Sequence, residues 1–107
     1  MTMKQEILDI TEVIKQAVPV EKIYLFGSFA NGVPREDSDY DFFMIIPDDG
    51  PRPLEAIQKA RKSLSKINRQ TAVDILADYH SRFNDRRHFN TLELKIANEG
   101  VVLYEKK

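Results

Sequence analysis

The sequence predicts an α/β (α+β) fold, with a mixed sheet of about four strands and helices packed against it. Two observations lead there. Short apolar runs rich in β-branched and aromatic residues recur at 21–26, 41–46, 71–77 and 101–104, each bounded by turn-forming or polar residues. Between them lie segments whose apolar residues return every three or four positions, the period of a helix with one buried face. The 107-residue length suits a single core, so one domain spanning 1–107 is expected.

The first helix is expected over 3–17. Ile7, Ile10, Ile14 and Ala17 share one face, Thr2 and Gln5 form a T-x-x-Q capping box, and Pro19 closes the segment. A strand over 21–26 follows, and Gly27 permits a tight turn. Ser28 to Asn31 make one helical turn, stopped by Gly32 and Pro34, and Arg35 to Ser38 form a solvated loop. The second strand starts at Asp39 or Asp41 and ends at Ile46. It carries Tyr40, Phe42, Met44 and Ile46 on one face and Phe43 and Ile45 on the other. A strand apolar on both faces belongs in the middle of a covered sheet.

After a turn at 47–53 the spacing predicts a helix over 54–67, with Ile57, Ala60, Leu64 and Ile67 inward. A strand over 71–77, a short helix within 79–87 and a final helix capped by Asn90-Thr91-Leu92-Glu93 come next. That helix is expected to end at Gly100 in the usual glycine C-terminal role, before a last strand over 101–104. The strand–helix–strand unit joining the second and third strands implies a parallel crossover. The shorter link between the first two makes the sheet mixed.

Composition excludes several function classes. Net charge is −1, so no broad field for a nucleic-acid template or an anionic membrane follows. Without cysteine there is neither a disulfide framework nor a thiolate zinc site. The N-terminus lacks the apolar core of a signal peptide, and the longest apolar run, 42–46, is far too short to cross a bilayer. A soluble, cytoplasmic protein is the expectation.

The chemistry gathers between Ile23 and Ile46. Asp39 and Asp41 stand two apart at a strand start, so their side chains share a face with alpha carbons about 6.5–7 Å apart. If the second and third strands are parallel neighbours, Asp74 joins them at the same end. Three close carboxylates raise one another's pKa unless a cation is present, and hard oxygen ligands with open positions suit Mg²⁺. Gly27 and Ser28, before a short helix, offer a close backbone approach and N–H groups to phosphate oxygens. A phosphate grip facing a divalent-cation site is the layout that nucleotidyl transfer needs.

Gly27-Ser28, ten residues, then Asp39-Tyr40-Asp41 resembles the G-S-x10-D-x-D signature of the DNA polymerase β-like nucleotidyltransferase superfamily, and Val73-Asp74-Ile75 matches its third carboxylate. The short chain and its ending, Ile96 to Tyr104, look like the minimal nucleotidyltransferases, the MNT group. At ordinary residue frequencies the four fixed positions recur by chance on the order of once in a thousand such chains. The resemblance implies the nucleotidyltransferase fold and ATP as nucleoside triphosphate substrate. It implies that Asp39, Asp41 and Asp74 are catalytic and hold Mg²⁺. Asp74 would also orient or deprotonate the attacking hydroxyl, while Gly27 and Ser28 would hold the β- and γ-phosphates. It further implies a HEPN-domain protein as partner, the chain acting as the antitoxin that transfers AMP to a tyrosine of the toxin. Homo- or hetero-oligomers fit the same picture.

Two positions depart from the family's pattern. Where many relatives carry an arginine after Gly-Ser and a second basic residue shortly after, this chain has Phe29 and Asn31. The missing charge would have to come from Arg35 or the Arg82–Arg87 cluster. Plainer readings stand beside these. Asp39 and Asp41 could cap a loop, and Asp74 could sit harmlessly on an edge strand. Asp48 and Asp49 are turn residues, Lys59, Lys62 and Lys66 a solvated face, and His80 and His88 surface residues. Phe29 reads as a core anchor. Phe83, Phe89 and Tyr104 are left open as a partner patch. In function, the alternative is a non-catalytic module that neutralises a HEPN protein by binding alone. A small-molecule modifier of the aminoglycoside-adenylating type is a weaker third, because such enzymes generally need an additional substrate domain, which here a dimer or partner would have to supply.

Overall fold

The computed structural model describes residues 3–27, 30, 39–67, 71–89 and 91–106. Helix α1 (Met3–Ala17) leads into β1 (Lys22–Phe26) and β2 (Tyr40–Ile46); α2 (Pro53–Leu64), β3 (Val73–Tyr79), α3 (His80–Arg86), α4 (Leu92–Glu99) and β4 (Val101–Glu105) follow. The strands form one mixed sheet in the order β3-β2-β1-β4. β2 runs parallel to β3 and antiparallel to β1, and β1 is antiparallel to β4. The mixed four-stranded sheet and the central place of β2 agree with the sequence. Among the described residues no helix is long and apolar enough to cross a membrane.

Alternation along the strands sorts the apolar side chains onto two faces. Ile23, Leu25, Tyr40, Phe42, Met44, Ile46, Val73 and Ile75 point to one face, where Ile10, Ile14 and Val18 from the α1 segment and Ala56, Ala60 and Leu64 of α2 cover them. The inward residues of α1 and α2 recur at three- and four-residue spacing, so each helix presents one continuous apolar stripe. Thr11 is buried within that stripe and satisfies its hydroxyl by donating to the Ile7 carbonyl at 2.8 Å. On the other face Tyr24, Phe43 and Ile45 pack under Phe83 of α3 and Ile96 of α4. Phe83 stacks on Tyr24 at 5.7 Å between ring centroids and meets Phe43 at 5.3 Å, so it is core and no part of an exposed patch. Tyr104 lies under the Lys15 ammonium, 4.5 Å from its ring, while Phe89 stands 67% exposed.

Several boundaries differ from the sequence reading, each for a local reason. α2 stops at Leu64 rather than 67. Beyond it the Ser65 hydroxyl folds back onto the Lys62 carbonyl, and the N–H groups of Lys66 and Ile67 reach only three residues back. β3 begins at Val73 and runs to Tyr79 rather than spanning 71–77, because its ladder with β2 extends from Tyr40↔Val73 to Ile46↔Tyr79. Thr91 is the N-cap of α4, its hydroxyl accepting from the Leu94 N–H at 3.3 Å; Asn90, expected to cap, lies outside the described residues. Gly100 closes α4 in extended conformation, with φ −72°, rather than the left-handed one. Glycine is needed there for space, since a Cβ would meet the Ile96 carbonyl oxygen at 2.5 Å and the Tyr24 ring at 3.1 Å. In the expected capping box of α1, Gln5 donates to Asp9 at 2.9 Å, and Thr2 is outside the described residues.

Candidate active site

The site is built at one end of the sheet, on the face that α3 and α4 cover only in part. Asp41 and Asp74 are register partners across the parallel β2–β3 ladder. Direct partners project to the same face from strands about 4.8 Å apart, so the backbone itself sets the two carboxylates side by side. Asp39 stands two residues before Asp41 and so on the same face, exposed just ahead of the strand. Asp41 senses its neighbours. Burial, then the charges of Asp74 and Asp39, push the Asp41 carboxyl above its ordinary range.

Tyr40, between the two aspartates, points the opposite way into the large core and is 1% exposed. Burial, the largest influence, raises its hydroxyl's pKa. The hydroxyl accepts from Thr71 and donates to the buried Glu6 carboxylate of α1. The Tyr40 N–H also donates to the Ala72 carbonyl at 2.9 Å. The residue between the two carboxylates is therefore tied down on the reverse side, which holds the start of β2 in place. Sequence reasoning missed this role. The alternation of the D-Y-D triplet is the signal that could have found it.

Gly27 ends β1 directly opposite the carboxylates, since its neighbour Phe26 pairs with Asp41. Its φ of +77° lies in the left-handed region that only glycine occupies freely. A Cβ there would collide with the Asp41 carboxylate, 3.2 Å from its Cγ. Both facts require glycine. Its carbonyl accepts from the Ala30 N–H at 3.1 Å, which closes a tight turn. Ser28, Phe29, Asn31 and Arg35 lie outside the described residues, and with them the predicted helical turn and the phosphate-holding hydroxyl.

Two arginines of the cluster are engaged with carboxylates away from this site. Arg86 pairs with the buried Glu93 of α4 through its Nε, a contact that raises the guanidinium pKa. Arg82 lies 3.8 Å from Asp78 on its own side of the sheet end. Asp48, taken as a turn residue, accepts from the Ser81 N–H at 2.9 Å and so steadies the start of α3. His80 and His88 are exposed, as expected.

The donor set suits a hard divalent cation: carboxylate oxygens from Asp39, Asp41 and Asp74, one of them already reluctant to ionise. Among the described residues no three acidic, His or Cys side chains close into a ready-made cage. Comparison with known proteins accounts for a carboxylate row facing the Gly27 turn. A profile of the polymerase beta nucleotidyltransferase family matches residues 9–107. The chain belongs to this family.

Solved structures agree on the fold of the nucleotidyltransferase. One is a provisionally assigned nucleotidyltransferase from Sulfolobus solfataricus, with a TM-score of 0.62 and 19% identity over 97% of this chain and 81% of that one. A second is a toxin–antitoxin crystallised with AMP-PNP, with a TM-score of 0.59 and 20% identity over 99% and 76% of the two chains. A third is a mutant of the toxin–antitoxin MntA–HpeT in which two aspartates, two positions apart, are replaced by glutamate; it has a TM-score of 0.56 and 18% identity over 92% and 72%. No curated protein matches the sequence at a significant level.

Proposed function

We propose that this nucleotidyltransferase is Mg²⁺-dependent and moves AMP from ATP onto a hydroxyl of a partner protein, as the antitoxin of a HEPN/MNT pair in the cytoplasm. The observation that carries the reading is the register pairing of Asp41 with Asp74, with Asp39 beside them and Gly27 facing Asp41. The neighbour crystallised with AMP-PNP supports an adenine nucleotide, and the two toxin–antitoxin neighbours support a protein acceptor. An aspartate pair with the spacing of Asp39 and Asp41 is the one altered in the MntA–HpeT mutant. Residues 1–107 then act as one minimal domain.

In this reading Asp39, Asp41 and Asp74 hold the cation, which when bound neutralises phosphate charge at the reacting phosphorus. Asp74, on the outer strand of the row, orients the acceptor hydroxyl and takes its proton. The hydroxyl oxygen forms a bond to the α-phosphorus as the bond from that phosphorus to the bridging oxygen breaks, and pyrophosphate leaves in line. Gly27 and Ser28 hold the departing phosphates through backbone N–H groups.

The test is transfer of label from α-labelled ATP to the co-purifying partner in the presence of Mg²⁺. Asp39→Asn or Asp41→Asn should abolish it while circular dichroism stays native. Equal labelling by the Asp39→Asn/Asp41→Asn double variant would refute the assignment. Tight partner binding with no labelling by the wild type would favour the non-catalytic module.

A further inference from the structure

Beside Gly27, on the side away from Asp74, a cleft of about 140 Å³ opens between the end of β1 and α4, lined by Phe26, Gly27, Leu92, Lys95, Ile96 and Glu99. Resting on the nucleotide reading above, we propose that this cleft is the nucleobase subsite, with α4 as the wall that recognises the base. Three features carry the assignment.

The floor is apolar. Phe26 is half-buried, Ile96 fully so, and Leu92 at the mouth leaves 42% of its surface in water. A flat aromatic ring gains by covering such a surface. The rim is polar in a particular way. Lys95 and Glu99 are one helical turn apart on α4, hence on one side of it, and the first only donates while the second, ionised, only accepts. Among the described residues neither forms an ion pair. A donor and an acceptor together match the edge of a base that carries an amino group beside a ring nitrogen. The third feature excludes the competing occupant. A polyphosphate in the cleft would lie against the Glu99 carboxylate and an apolar floor, whereas in the reading above the phosphates lie at Gly27, on the cleft's edge. The base therefore occupies the α4 side, and the acceptor is left the Asp74 side.

Isothermal titration of the full chain with Mg²⁺ separates the base from the phosphates, using ATP and inorganic tripolyphosphate as probes. Leu92→Ala and Lys95→Ala change exposed side chains, and circular dichroism checks that the fold is kept. Each is expected to weaken ATP by about five- to tenfold and to leave tripolyphosphate unchanged. Parallel weakening of both probes would make Lys95 a phosphate contact and overturn the proposal. Unchanged ATP affinity in both variants would overturn it as well. Wild-type protein that binds neither probe would overturn the nucleotide reading itself, whereas tripolyphosphate binding equal to ATP binding would overturn only the base subsite.

Discussion

The two faces of the sheet are unequal. Among the described residues fifteen buried side chains form the core under α1 and α2, against five under α3 and α4. Among the described residues the strands β1 and β2 turn only buried side chains to the thick face. The thin one leaves Asp74 and Leu76 of β3 in the open, with Asp41 half-covered. The difference teaches where stability and chemistry are separated in so short a chain. One face closes the core, and the other can then afford carboxylates that repel one another.

The sharpest way to break this contrast is to exchange burial for space on each face in turn. Phe42, 0% exposed in the thick core, should cost about 3–5 kcal/mol when cut to alanine. Leu76→Ala on the thin face, at 40% exposure, should cost under about 1 kcal/mol. Urea midpoints of the two variants measure both, and comparable losses would mean that the faces share the load. A smaller effect is expected from Tyr40→Phe, which keeps the ring in the thick core but removes the hydroxyl shared by Thr71 and Glu6. Leaving the buried Glu6 without that donor should cost about 1–3 kcal/mol, again read from urea unfolding.

The smallest change has the opposite sign. The Asp41 carboxyl is pushed up by burial and by Asp74 and Asp39. A carboxyl with a raised native pKa favours folding less as pH rises from its unfolded value, about 3.9, through its native value. Without metal, Asp41→Asn should therefore raise the melting temperature at pH 7 by about one or two degrees, and the gain should vanish below pH 4. Scanning calorimetry at the two pH values checks it. A lower melting temperature at pH 7 would show that Asp41 is a structural residue after all.

Much of the fold was legible because its signals are local. The doubly apolar run from Phe42 to Ile46 announced a central strand, and the helical spacing of Ile10 and Ile14 announced the face that α1 buries. The candidate site was legible in its spacing: two aspartates two apart and a glycine-serine pair at a fixed distance. What escaped was set by tertiary partners. Asp78 is a poor strand former, yet it sits within β3 because the ladder to β2 carries it there. Arg86 reads as one charge in a solvated cluster until folding places Glu93 against it. Gly100 reads as a helix stop of the left-handed kind, while its true constraint is space, beside the Ile96 carbonyl oxygen and the Tyr24 ring of β1. Lys95 carried no signal, since only the packing of α4 beside β1 brings it to the cleft.

The pairing of Asp41 with Asp74 has a consequence for how such a chain can change over time. The separation of their alpha carbons is a property of peptide hydrogen bonds and not of any particular side chain. Residues around them can be exchanged, provided the ladder forms, without altering that backbone spacing. A dimension inherited from the backbone in this way is indifferent to drift elsewhere in the sequence, as long as the ladder is kept. Side chains at the rim can vary while it stays constant.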